Sequence, residues 1–188
     1  TNTVTQSYMW GGQYGAIFAV SSEYNVISIS TMIGSSSTGL YGNGGDRNTV
    51  TQSYMQGGAI GAGFISGTDL NTISLSTMIS SNASFPALSL TQTSSNTIAD
   101  SYVQGSTAVI ISGSTGTVIR GSRLTAMFAG GSAVALAGGS VNLTLTSSTL
   151  MSPASGRGLY LDSDNVGAVS LGSVTFINSL RPIEISTQ

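Results

Sequence analysis

The 188-residue sequence contains no histidine, no cysteine and no lysine, and only 6% of its residues are charged. Without His and Cys it lacks the usual ligands for zinc, haem and thiol chemistry and every His-dependent triad, so no cofactor is expected and any catalysis would rest on carboxylates, Arg or Tyr. The missing cysteines leave the redox compartment open. All five basic residues are arginines, scattered along the chain, so no basic stripe matches a phosphate backbone and no nucleic-acid partner is expected. The most apolar stretch, Leu124 to Leu136, is too short and too rich in Gly, Ser and Thr to span a bilayer, which predicts no membrane insertion.

What remains is 40% hydrophobic, with 25 glycines, abundant Ser and Thr and a net charge of −2, a composition that supports a buried core and argues against disorder. The stretch Asn2 to Met9 reads NTVTQSYM, and Asn48 to Met55 repeats it letter for letter. Relaxed copies read NVISISTM from Asn25, NTISLSTM from Asn71 and NTIADSYV from Asn96, giving steps of 23, 23, 23 and 25 residues. Such a beat belongs to solenoids. Weaker copies follow as GTVIRGSRL from Gly116, VNLTLTSSTL from Val141 and VGAVSLGSVTF from Val166, so about eight units fill the chain.

Within a unit the apolar residues alternate by two and no helical period is sustained, so each unit reads as strands and turns. Val4, Ile27, Val50, Ile73, Ile98 and Val118 are predicted to face inward from a first strand, with Met9, Met32, Met55, Met78 and Val103 returning inward after a bend. A second strand is predicted at Phe18/Val20, Leu88/Leu90, Val109/Ile111, Val134/Leu136, Leu159/Leu161 and Ile183/Ile185, which gives each coil at least two walls. Coils stacked at the parallel-strand spacing of about 4.8 Å form a rod of about 38 Å and bring like residues into ladders. Asn2, Asn25, Asn48, Asn71 and Asn96, continued by Gly116, predict a tight left-handed turn. Ser7, Ser30, Ser53, Ser76 and Ser101 predict stacked hydroxyls or turn hydrogen bonds.

The pattern N-T-[VI]-x-x-S-x-[MV], followed by alternating apolar residues and a Ser-rich turn, resembles the right-handed parallel β-helix repeat of the pectate-lyase-like superfamily. Its internal identity is similar to that of repeat arrays in large bacterial surface proteins. The resemblance implies an all-β, right-handed, single-stranded parallel β-helix of about eight coils of about 23 residues, one segment over residues 1–188, expected to be a piece of a longer repeat protein. Such repeats occur in lyases, hydrolases, epimerases, tailspikes and structural proteins, so the resemblance fixes architecture more than activity.

Three columns carry chemistry. Coils one, three and five hold Gln6 and Tyr8, Gln52 and Tyr54, and Asp100 and Tyr102, whereas coils two and four hold Ile29 with Thr31 and Leu75 with Thr77. The duplicated unit is therefore a coil pair. Its tyrosines recur at about 9.6 Å, comparable to an extended β-linked disaccharide, and the rings and amides make Gln6, Tyr8, Gln52, Tyr54, Asp100 and Tyr102 candidate glycan contacts. Strand propensity and gene duplication would also produce this column.

Glu23, Asp46 and Asp69 each precede a ladder Asn by two positions, at spacings compatible with glycosidase carboxylates or calcium and equally with turn capping. Lyases of the resembled superfamily generally use a basic proton acceptor and acidic calcium ligands. Here Arg120 and Arg123 are the only close basic pair, and Arg120 or Arg123 is expected to pair with Asp100.

Thr3/Thr5, Thr49/Thr51 and Thr72/Ser74 form a partial Thr-x-Thr face of the kind used by ice-binding solenoids, interrupted by Val26, Ala99 and Ile119. Asn82-Ala83-Ser84 and Asn142-Leu143-Thr144 are formal glycosylation sequons. Taken together, the sequence predicts a structural or adhesive solenoid, extracellular or at the cell surface, with polysaccharide as a candidate partner. Open strand edges at the ends predict flanking coils of a parent chain or end-to-end self-association. The alternative is a carbohydrate-active enzyme using the carboxylate column, and a minor alternative is ice binding.

Overall fold

The computed structural model describes residues 1–165 and 169–186, and every regular element among them is a strand. No helix among these residues is long and apolar enough to cross a membrane. Strands of three to six residues, rich in β-branched side chains, build three parallel sheets of eight strands each. Sheet A runs from Thr3–Thr5 to Val169–Gly172, sheet B from Tyr8–Gly11 to Thr175–Ile177, and sheet C from Tyr14–Phe18 to Arg181–Ile185. Each strand pairs with its equivalents one coil away, so about eight turns of about 24 residues stack into a parallel β-solenoid.

The apolar residues of all three sheets meet on the axis. Ile73 stacks between Val50 and Ile98, Met78 between Met55 and Val103, and Leu88 between Ala62 and Val109. All but Val50 and Ile98 among these are completely buried, and those two are 1% exposed. Burying such a side chain stabilises by about 1.5–3 kcal/mol, and each coil repeats the gain against its neighbours.

The bend before the methionines is a full corner. Sheets A and B are separate walls, joined by one residue in the left-handed region: Gln6, Ile29, Gln52, Leu75 and Asp100, at φ between 49° and 50°. A second left-handed column leads into sheet A at Tyr24, Arg47, Leu70, Ser95 and Gly116. The residue just before each ladder Asn therefore makes the turn expected of the Asn itself. Gly116 belongs to that turn column, and Thr117 continues the Asn column, because Val118 pairs with Thr97. This one-residue shift places Ile119 in the core and turns Val118 outward, the reverse of the sequence expectation.

The first coil carries a similar correction. Ala16 and Phe18 stack on Leu40 and Gly42, whereas Val20 lies beyond the strand and is exposed. The strand-C residues of coils two and three, Leu40/Gly42 and Ala62/Phe64, do not show in the sequence pattern because glycine and alanine replace one apolar residue of each pair. The start of the eighth repeat at Val166 lies outside the described residues; its sheet-A strand begins at Val169.

The corner between sheets B and C depends on glycine in the early coils. A Cβ on Gly11, Gly34 or Gly57 would fall 1.9–2.1 Å from a carbonyl oxygen just beyond the corner. Ser80 occupies the same register as Gly57, and there the connection to sheet C is longer, running from Ser81 to Ala87.

A tyrosine face bounded by two polar ladders

The Asn column forms a continuous amide ladder through the first five coils. Each Oδ1 accepts the backbone N–H of the preceding coil's Asn, at 2.8 Å from Asn2 to Asn25, 2.9 Å from Asn25 to Asn48, 2.8 Å from Asn48 to Asn71 and 2.9 Å from Asn71 to Asn96. The Nδ2 groups of Asn48, Asn71 and Asn96 donate to backbone carbonyls of Ser22, Gly45 and Thr68. These buried amides thereby satisfy main-chain groups that sheet pairing leaves free at the corner.

The serine column does similar work at the other corner. Each Ser N–H donates to the next coil's Ser Oγ at 3.1–3.2 Å, from Ser7 through Ser30, Ser53, Ser76 and Ser101 to Ser122 and Ser148. The hydroxyls of Ser7 and Ser53 in turn donate to the carbonyls of Thr5 and Thr51, closing the corner locally.

Between the serine ladder and solvent lies the tyrosine face. Tyr8, Thr31, Tyr54, Thr77, Tyr102 and Arg123 occupy one outward register of sheet B in successive coils. Tyr8 is exposed, while Tyr54 and Tyr102 are partly covered by their neighbours. The Tyr54 hydroxyl donates to Gln56 Oε1 at 2.8 Å, and the Tyr102 hydroxyl donates to Gln104 Oε1. Burial also raises the Tyr54 pKa above its ordinary value. In the first coil Trp10 stands where Gln56 stands in the third, adding an exposed indole beside Tyr8.

Gln6, Gln52 and Asp100 lie beside these rings at the left-handed A–B corner, and all three are exposed. A depression of about 390 Å³ centres on Tyr54 and Gln52, between Ile29 and Thr31 on one side and Leu75 and Thr77 on the other. In the sequence Ile29 and Leu75 stand out only as the alternating partners of the glutamines. Their place on the rim, and the hold of Gln56 and Gln104 on the tyrosines, emerge from the fold. The visible signal for the glutamines is the Tyr-x-Gln spacing at 54–56 and 102–104.

At the fifth and sixth coils the face becomes charged. Arg120 pairs with Asp100 at 3.6 Å, and the Arg123 guanidinium lies 5.8 Å from the centre of the Tyr102 ring. The carboxylate column is elsewhere, at the turn entering sheet A. Asp46 Oδ1 accepts the Asp69 N–H at 2.8 Å, and Asp69 Oδ1 accepts the Ser94 N–H at 2.6 Å. Glu23 faces Arg47 at 4.0 Å, and Arg47 also lies over Tyr24. The two aspartates thus cap backbone amides, and no group of three or more acidic side chains able to hold a metal occurs among the described residues.

The outward face of sheet A carries Thr3, Val26, Thr49, Thr72, Thr97 and Val118 in one column and Thr5, Ser28, Thr51, Ser74, Ala99 and Arg120 in the next. Hydroxyls bridge coils there, from Ser28 to Thr5 and from Ser74 to Thr51, both at 3.1 Å. Val118, rather than Ile119, interrupts the threonines. Of the sequon asparagines, Asn82 accepts the Ser84 N–H with its own side chain, and Asn142 sits in a left-handed turn.

A family model described as a right handed beta helix region matches residues 1–150. The chain belongs to that family. Among solved structures, this right-handed β-helix is similar to the A-module of the mannuronan C-5 epimerase AlgE4 from Azotobacter vinelandii. The TM-score is 0.81 at 12% identity, over 99% of this chain and 57% of that one. It is also similar to an alginate lyase from Paenibacillus sp. str. FPU-7, with a TM-score of 0.59 and 13% identity, over 94% of this chain and 77% of the lyase. At these identities the likeness is one of fold, and the β-helix spans little more than half of the epimerase module. No curated protein matches the sequence.

Proposed function

We propose that this β-helix is a structural and adhesive segment of a secreted or cell-surface protein, and that it binds polysaccharide along the outward face of sheet B. The observation that carries the reading is the placement of Tyr8, Tyr54 and Tyr102 in one register of alternate coils, separated only by Thr31 and Thr77. Rings held about 9.6 Å apart offer apolar platforms to the faces of successive disaccharides, and the corner residues Gln6, Gln52 and Asp100 offer hydrogen bonds to their hydroxyls. Tyr54 and Tyr102 are preorganised by their bonds to glutamine, which lowers the ordering cost of binding.

The two similar structures are a mannuronan epimerase and an alginate lyase, and a fold shared with proteins that act on polysaccharide is consistent with glycan as ligand. For this chain the scaffold reading is favoured over an enzyme because Asp46 and Asp69 are engaged as caps of backbone amides. A glycan array followed by calorimetry, with a parallel reducing-sugar and unsaturated-product assay, tests the reading. The expected result is binding without turnover, weakened about tenfold or more by Tyr54→Ala. Turnover that disappears in Asp46→Asn or Asp69→Asn would replace the scaffold with an enzyme.

A further inference from the structure

The corner residues next to the tyrosines present an unusual choice of amino acid. Ile29 and Leu75 lie in the left-handed region, at φ 50° for each, and are 53% and 58% exposed. A β-branched or bulky residue is strained there, whereas Asn or Gly fits. Exposure means that core packing does not repay the strain. Exposed Tyr24 and Leu70 take similar angles at the other corner, so the strain marks a site only through where Ile29 and Leu75 stand.

Their position gives the strain a use. Through the first five coils the odd ones have a polar corner and an aromatic wall, as in Gln52 with Tyr54, and the even ones an apolar corner and a small wall, as in Ile29 with Thr31 and Leu75 with Thr77. Apolar groups therefore zigzag across the face, from Tyr8 to Ile29, Tyr54, Leu75 and Tyr102, one step per coil. Polar Gln and Thr fill the alternate squares. The depression around Tyr54 lies within this checkerboard and has no charged residue in its lining. Through the first four coils neither the A–B corner nor the outward face of sheet B holds a charge; the charges begin with Asp100, Arg120 and Arg123.

We infer that the ligand of this face is a neutral β-linked glycan, and that Ile29 and Leu75 are contact residues clamping the sugar that stacks on Tyr54. This inference rests on the glycan-binding reading and narrows it to a substrate class. A neutral sugar offers an apolar ring face to Tyr54, Ile29 and Leu75 and hydroxyls to Gln52, Thr31 and Thr77. A polyuronate would bring a carboxylate to every residue, and the first four coils of the track hold no cation to receive it. The inferred ligand therefore differs in charge from alginate, the polymer for which the similar Paenibacillus lyase is named.

The test compares wild type, Tyr54→Ala and the double variant Ile29→Asn/Leu75→Asn by calorimetry and thermal unfolding, with cellohexaose as the neutral probe and hexamannuronate as the acidic one. Asn relieves the left-handed strain, so the double variant is expected to unfold at a higher temperature than wild type and to bind cellohexaose about tenfold more weakly or worse. Higher stability with weaker binding separates contact from folding. Preference for hexamannuronate would overturn the neutral class while leaving the glycan track standing. Cellohexaose binding lost in Tyr54→Ala but unchanged in the double variant would remove Ile29 and Leu75 from the site. Binding of neither probe would overturn the inference, and only a blank glycan array besides would overturn the track.

Discussion

The first five coils and the last three solve the same packing problem with different polar chemistry. Coils one to five carry the unbroken Asn ladder from Asn2 to Asn96, the alternation of tyrosine with threonine, and, in the first three, glycine at the B–C corner. From the sixth coil the Asn column becomes Thr117, whose buried Oγ1 has no hydrogen-bond partner. Arg123 stands where the earlier even coils have threonine and Thr149 where the odd ones have tyrosine, and Ala126 stands in the register of Gly105. The sheets nevertheless continue, with Ile119, Leu124, Leu145 and Leu150 buried as fully as their equivalents. The apolar stack therefore defines the coil, the serine ladder accompanies it to Ser148, and the asparagines add order to one end.

This contrast can be broken most sharply at Asn71. Replacing it with Ala strands the buried Asn48 N–H and the Gly45 carbonyl, for an expected loss of about 2–6 kcal/mol in chemical denaturation at roughly 1–3 kcal/mol per unsatisfied group. The equivalent Thr117→Val removes an unpartnered hydroxyl instead, and should raise stability by about 1 kcal/mol. Equal losses at the two sites would show that the ladder matters no more in one half than in the other.

A loss of the same order is expected from Gly57→Ala, whose Cβ would fall 1.9 Å from the Ile60 carbonyl oxygen and 2.4 Å from that of Ser37, so that backbone must move at a cost of about 3 kcal/mol or more. Gly63→Ala meets only ordinary contacts at 3.7 Å or more and should be tolerated. The smallest effect belongs to the C-terminal coils in acid. Arg181, by a hydrogen bond of 2.6 Å, and Arg157, by an ion pair at 3.0 Å, hold the Glu184 pKa below its ordinary value of 4.5. A carboxylate with a lowered folded pKa contributes stability that is complete above 4.5 and disappears as pH falls through the folded value. Glu184→Gln should therefore flatten the stability profile between pH 4.5 and the folded pKa and leave its slope unaltered below that value.

The 23-residue beat makes the architecture readable because stacked coils repeat their core residues at fixed intervals. Register fails where two readings are equally apolar. Val118 and Ile119 both suit a strand, and Gly116 shares the tolerance of Asn for left-handed angles, so in sequence Gly116 reads as the Asn equivalent although Thr117 holds that register. The turns mislead for a different reason. Asn suits left-handed angles, but here its amide is needed for the ladder, and Tyr24, Arg47 and Leu70 take the turn without any propensity to announce it. For the candidate site, the tyrosine column is legible as a period of two coils. The apolar corner at Ile29 and Leu75 is written in the same alternation, but its meaning depends on backbone angle and exposure, which letters do not carry.

The letter-for-letter return of Asn2–Met9 at Asn48–Met55 also has a consequence for inheritance. Crossing over between the two corresponding stretches of gene would delete or insert two steps of 23 residues and rejoin the same octapeptide. Such an event keeps every ladder in phase and changes the number of tyrosine rungs by one. A single-step exchange would still close a coil, yet would set two tyrosines or two threonines side by side. Chain length can thus vary in paired increments, with each pair of coils behaving as one heritable rung of the surface.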